Sequence, residues 1–163
     1  MTGGAIIIGG IHMMAAVILV GGSFFLDRII GPPADSTDTP EIKKLMQSAG
    51  QRFSVAAWIA LILLIGTGFV RMAGLGALNL SILFNELYGN ILLAKIVLTA
   101  IGVTNSVVLT RMGLKMSRLA NDSPPPVVEL GQLAIRIKYV SRINLTLGII
   151  IVFLAVALRV IGL

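Results

Sequence analysis

One histidine stands in this chain, His12, and it lies inside a run of apolar residues that carries no formal charge. A second ionisable group, Lys95, interrupts another such run. Imidazole and ammonium in apolar surroundings are costly, so each marks a candidate site by default. Imidazole can ligate copper or a heme iron, and it can also move a proton. An ammonium can hold an anion or act as a second ligand. Met72 adds a thioether, a soft ligand suited to copper. With no cysteine, disulfides, thiolate metal sites and redox thiols are ruled out. A protein-only zinc site would lack its usual ligands. No phosphate-cradling glycine loop, HExxH or G-x-S-x-G is present, and a buried Ser-His-Asp set has no support. No set of residues assigns a catalysed reaction, so catalysis stays open.

The elements that position these groups are read from composition. Of 163 residues, 56% are hydrophobic and only 12% charged, and mean hydropathy is +0.98. A water-soluble domain needs more charge to cover its surface. The chain is therefore expected to be all-α, a single integral membrane domain over 1–163, built as a four-helix bundle. The apolar runs give spans at about 3–28, 52–74, 89–112 and 138–162. Each approaches the ~20 residues that cross ~30 Å of hydrocarbon. In lipid they must be helical, because an open strand leaves backbone groups unsatisfied. The first run has no basic leader and is too long for a signal-peptide core, so a permanent span is expected.

The connections differ in kind. Residues 31–51 are polar, and Asp38 or Thr39 before Pro40 predicts a short interfacial helix over 41–48. Residues 78–87 are expected in the interface. The longest connection, 112–140, is broken at Pro124-Pro125-Pro126, after which 127–139 is expected to run as helix into the fourth span.

A net charge of +6 and a pI near 10.3 do not point to nucleic acid. The basic residues sit at the ends of apolar runs, not on a solvated face. Arg28, Lys43, Lys44, Arg52, Arg111, Lys115, Arg118, Arg136, Lys138 and Arg142 fall on one side of the four spans, and Arg71 and Arg159 on the other. The positive-inside rule then puts both polar connections in the cytoplasm and both termini outside. The expected location is the inner or plasma membrane, as a multi-pass protein in lipid.

Helical phase assigns faces. Ala5, Gly9, His12, Ala16, Ser23 and Asp27 share a small, polar face of the first span, with Met14, Ile18 and Phe25 opposite toward lipid. Ala56, Ala60, Thr67 and Arg71 share a face of the second. Tyr88, Lys95, Thr99, Gly102 and Ser106 share one of the third. Counted from the outer ends at ~1.5 Å per residue, His12 lies ~14 Å and Lys95 ~9 Å along their spans. The two side chains can thus meet if their helices are neighbours. The plainer readings are a core histidine bonded to a hydroxyl or carbonyl, and a lysine snorkelling to the headgroups. Among seven methionines only Met72 is placed to approach His12, since Met13 and Met14 point elsewhere around the first span and Met46, Met112 and Met116 belong to the cytoplasmic side; the plainer reading of methionine is apolar filler. Asp27, Arg28, Arg52, Arg142 and Asn144 form a second polar group at the cytoplasmic end. There Asp27 is expected to pair with Arg52 or Arg142, as an ion-pair clasp or as arginines that hold propionates.

Several short stretches resemble the CopD-type membrane domain. Ile11-His12 through Gly21-Gly22-Ser23-Phe24-Phe25-Leu26 is similar to its opening helix. Arg52-Phe53-Ser54 with Thr67-Gly68 is similar to its second, and Tyr88-Gly89-Asn90-Ile91-Leu92-Leu93-Ala94-Lys95 with Asn105 to its third. Arg142-Ile143-Asn144 looks like the start of the last helix in the related HemJ-type protoporphyrinogen oxidases. The CopD resemblance implies copper movement across the inner membrane. The HemJ resemblance implies heme, with His12 and Lys95 at the matching positions. The resemblance is to the four-helix core alone, and no His- or Met-rich loop stands among these 163 residues, which weighs against autonomous copper transport.

Three functions are therefore expected. The first is copper handling at a metal site near His12, aided by Met72. The second is b-type heme held by His12 as axial ligand, with Lys95 as second ligand or propionate partner and Arg52 and Arg142 as further propionate partners. The third is an accessory subunit without chemistry, partnered by other membrane subunits or by its own copies.

Overall fold

The computed structural model describes residues 3–30, 39–74, 87–122 and 124–161. Helix α1 covers Gly3–Phe24 and continues as a π-helical turn over Phe25–Ile30; α2 is Pro40–Gly74, α3 Leu87–Ala120 and α4 Val127–Ile161. No strand occurs among the described residues. All four helices are long and apolar enough to cross a membrane. Their lengths follow from the absence of internal breakers. Pro40 opens α2 at the position where its missing N–H costs nothing. No proline follows before Gly74, and the ~1 kcal/mol cost of Gly50 is too small to end a helix of that length.

Two expectations about the connections change accordingly. The segment 41–48 is not a separate interfacial helix but the first turns of α2. The connection 112–140 is mostly helix: α3 runs on to Ala120, and α4 begins at Val127, just after the prolines. Between them the chain turns by Asn121 N–H to the Arg118 carbonyl (3.0 Å) and Asp122 N–H to Leu119 (3.3 Å). The expected run of 127–139 into the fourth span is observed. The stretch 78–86 lies outside the described residues.

Packing follows small side chains. α1 packs mainly on α2 and α3 mainly on α4, while α1 also meets α4. Ala15 and Ala60, each 2% exposed, are the most buried hydrophobic side chains among the described residues. Small side chains let helix backbones approach, which in lipid replaces the hydrophobic driving force. Ala15 lies beside the face predicted from His12, so the buried line of α1 is turned slightly from it. Met14, Ile18 and Phe25 are exposed, as the lipid-facing assignment requires. Leu92 and Leu158 pack α3 on α4 near the end that carries the termini.

Polar cross-links complete the ring. Trp58 Nε1–H donates to Thr110 Oγ1 at 3.0 Å, tying α2 to α3. Asn144 Nδ2–H donates to Ser106 Oγ at 3.3 Å, tying α4 to α3. Each acceptor hydroxyl has already given its own proton one turn back: Thr110 to the Ser106 carbonyl and Ser106 to Gly102, both at 2.9 Å. Such links are worth on average ~0.6 kcal/mol in a membrane.

The closest approach is at Gly22, where an added Cβ would lie 2.2 Å from the Phe53 ring. Gly21 next to it has nothing within 4 Å. In thermal melts in detergent, Gly21→Ala should be neutral or stabilising by up to ~1 kcal/mol, the ordinary helix gain. Gly22→Ala should destabilise despite that gain, since overpacking costs ~1–3 kcal/mol. Adding Phe53→Leu should recover most of the loss. Equal effects at both glycines would contradict this packing.

Candidate functional site

His12 is half-buried on α1 and faces Thr67 on α2, with Nδ1 2.8 Å from Thr67 Oγ1. The direction of that bond follows from proton counting. The Thr67 hydroxyl has one proton and donates it to the Leu63 carbonyl of its own helix. With the proton placed there its oxygen is an acceptor, which pairs with the Nδ1–H tautomer of the ring. In the neutral ring Nε2 then holds a free lone pair. On the same side of the ring, Cε1 lies over Gly68, where an added Cβ would stand 3.6 Å away. The imidazole is therefore held among the Thr67 hydroxyl, the Leu64 carbonyl and the backbone at Gly68. This is the arrangement by which proteins orient a metal-binding histidine.

Two cations share its neighbourhood. Lys95 and Arg71 both lie within electrostatic range of the imidazole, and Arg71 within range of Lys95. Arg71 is one helical turn beyond Thr67, on the face already turned to α1. Lys95 reaches this level through the register of the bundle. Ser106 meets Asn144, Leu92 packs on Leu158, Val20 lies beside Gly148 and Asp27 meets Arg142. Followed around the ring, these pairs bring Lys95 to the depth of His12. His12 and Lys95 thus share a depth in the bundle, and Arg71, from the inner face of the second span, acts electrostatically on both. Among the described residues the Lys95 ammonium makes no ion pair or hydrogen bond; Thr99 bonds only its backbone carbonyl, at 2.8 Å.

The other assigned residues fall elsewhere. Met72 sits one turn beyond Gly68, on the same face of α2. No group of three or more His, Cys, Asp or Glu able to hold a metal forms among the described residues. Arg142 Nε lies 3.2 Å from Asp27 Oδ1, and Arg28 Nε lies 3.2 Å from Asp27 Oδ2. Asp27 therefore pairs with Arg142 and Arg28, not Arg52; Arg52 is exposed and makes no ion pair among the described residues. His12 and Asp27 are separated by ~22 Å along α1 at ~1.5 Å per residue. Arg52 and Arg142 therefore belong to the arginine-rich end of the bundle and not to the surroundings of His12 and Lys95. The signal for Thr67 was its place on the inner face of the second span; its pairing with His12 needed the register between helices.

The lone histidine makes the proton assignment directly measurable. In ¹⁵N-histidine solid-state spectra at neutral pH, the protonated nitrogen should be Nδ1 and the bare one Nε2, and Thr67→Val should shift the ring toward the other tautomer. A wild-type ring protonated at Nε2 alone would contradict the geometry. Comparison with family models, with curated proteins and with solved structures finds no match to this chain.

Proposed function

We propose that this chain is a membrane protein that binds b-type heme in one half of the bilayer, with His12 Nε2 as the axial ligand. The observation that carries this reading is the 2.8 Å contact of His12 Nδ1 with Thr67 Oγ1, at a level of the bundle where Lys95 and Arg71 act on the ring; in the Nδ1–H tautomer Nε2 is the ligating atom. A heme is an anionic macrocycle, and Lys95 and Arg71 supply the charge its propionates require. Bound there, the group would supply one-electron chemistry, with the histidine setting its axial field. The chain's own residues orient the imidazole, neutralise the carboxylates and, through Gly68, admit a flat ring close to the backbone. The same cations weigh against a bare copper ion, and no cluster of carboxylate or imidazole ligands accompanies His12 among the described residues. Copper handling is the second reading, favoured by the CopD-like stretches and by Met72 on the face of Gly68.

The basic-residue count supports an orientation with both termini, and hence His12, on the extracytoplasmic side of the cell membrane. A cysteine-accessibility scan of the termini and of the turn at 121–126 checks it. Labelling of the termini from the cytoplasmic side would reverse it.

An absorption spectrum of the purified protein, titrated with heme, tests the ligand. A Soret band is expected that His12→Ala abolishes. Thr67→Val should weaken heme affinity about ten- to a hundredfold, as loss of a partner that orients a ligand does. Lys95→Met and Arg71→Gln should each cost about tenfold, the equivalent of one charge-assisted contact of ~1.4 kcal/mol. A protein that stays colourless with heme but retains Cu(I) in a His12-dependent way would replace this reading with copper handling. If neither binds and a stoichiometric subunit co-purifies, the accessory role stands instead.

A further inference from the structure

The arginine-rich end of the bundle holds a second arrangement that the heme reading does not use. The Asp27 carboxylate lies in the π-helical turn, its side chain only 7% exposed. Two guanidiniums converge on it, Arg142 from α4 and Arg28 from the turn itself, each at 3.2 Å. Both contacts are made through Nε. A carboxylate that simply neutralised an arginine would take the two-pronged fork. Among the described residues neither arginine makes another ion pair or hydrogen bond. Their side chains are 59% and 48% exposed. One carboxylate between two guanidiniums leaves one positive charge, with the Nη donors of both uncommitted among the described residues.

What adjoins these donors is apolar. Arg142 lines a groove of about 360 Å³ together with Tyr139, Ile143, Thr146 and Leu147. Thr146 gives its proton to the Arg142 carbonyl at 3.0 Å, so it offers no donor. The donors that line the groove are therefore the Arg142 guanidinium and the Tyr139 hydroxyl, and Arg28 adjoins them through the shared Asp27 carboxylate. Ile143 and Leu147 carry it along α4 into the apolar run. A ligand that matches both parts has a phosphate at one end and hydrocarbon at the other. A zwitterionic headgroup would leave the positive charge unmatched; a headgroup of net charge −1 cancels it.

We propose that this end of the bundle binds one anionic phospholipid per chain, its phosphate held by the Nη groups of Arg28 and Arg142 and an acyl chain laid over Ile143 and Leu147. Asp27 is the positioning residue that holds the two guanidiniums together.

Native mass spectrometry of the detergent-purified chain, titrated with phosphatidylglycerol or phosphatidylcholine of the same acyl chains, tests this. One phosphatidylglycerol should be retained per chain, with phosphatidylcholine about tenfold weaker. Arg28→Gln with Arg142→Gln should abolish that preference. Arg28→Lys with Arg142→Lys keeps the charge but removes the forks, and should lose about tenfold while the helical circular dichroism stays unchanged. Asp27→Asn should weaken retention too, although it makes the site more positive; a purely electrostatic surface would bind more tightly. Arg118→Gln and Arg136→Gln, on the same side of the bundle, should change nothing. Equal losses in those controls, tighter binding in Asp27→Asn, or displacement of the lipid by millimolar glycerol phosphate would overturn the proposal.

Discussion

Hydroxyl groups that have already spent their proton organise this molecule. In hydrocarbon no water satisfies a serine or threonine, so each donates to the carbonyl one turn back on its own helix. That leaves an oxygen lone pair facing the neighbouring helix as an acceptor with no proton to give. Three such oxygens are used: Thr67 by the His12 ring, Ser106 by the Asn144 amide and Thr110 by the Trp58 indole. Each link has a compulsory direction, because only the partner can donate. The same kind of link that ties α2 to α3 and α3 to α4 therefore also joins α1 to α2 through the lone histidine.

That coupling makes the histidine a consequence of the packing and not an ornament on it. Small residues, Ala15 and Ala60 among the most buried, bring α1 and α2 close enough for the 2.8 Å contact. Gly68 keeps the backbone under the ring open. The charges that act on the ring are those of Lys95 and Arg71.

The two ends of the bundle divide their charge differently. Around His12 the cations stand without a described carboxylate, which is an expensive state in lipid. At the other end a buried carboxylate is shared by two arginines, and Lys115 pairs with Glu129 at 2.8 Å between α3 and α4. Such exposed pairs add little stability. Their importance is geometric: they hold the helix ends in register. The π-helical turn places Asp27 there, and turns of that kind are frequent at functional sites.

Much of this was legible in the residues. Charge-free apolar runs bounded by arginine specify membrane-spanning helices because lipid tolerates no unsatisfied backbone. Helical phase placed His12, Thr67 and Lys95 on inward faces, because that periodicity is local and rigid. The extent of the helices was not legible, since polar residues at 41–48 and 112–120 fit helix or loop equally until their neighbours are known. Nor were the partners. That Thr67 meets His12, that Arg71 joins them, and that Asp27 takes Arg28 and Arg142 and not Arg52 all depend on the vertical register between helices. A shift of one turn changes every such pair while leaving each helix's own pattern intact. Only close packing of small side chains, acting across the whole bundle, chooses that register.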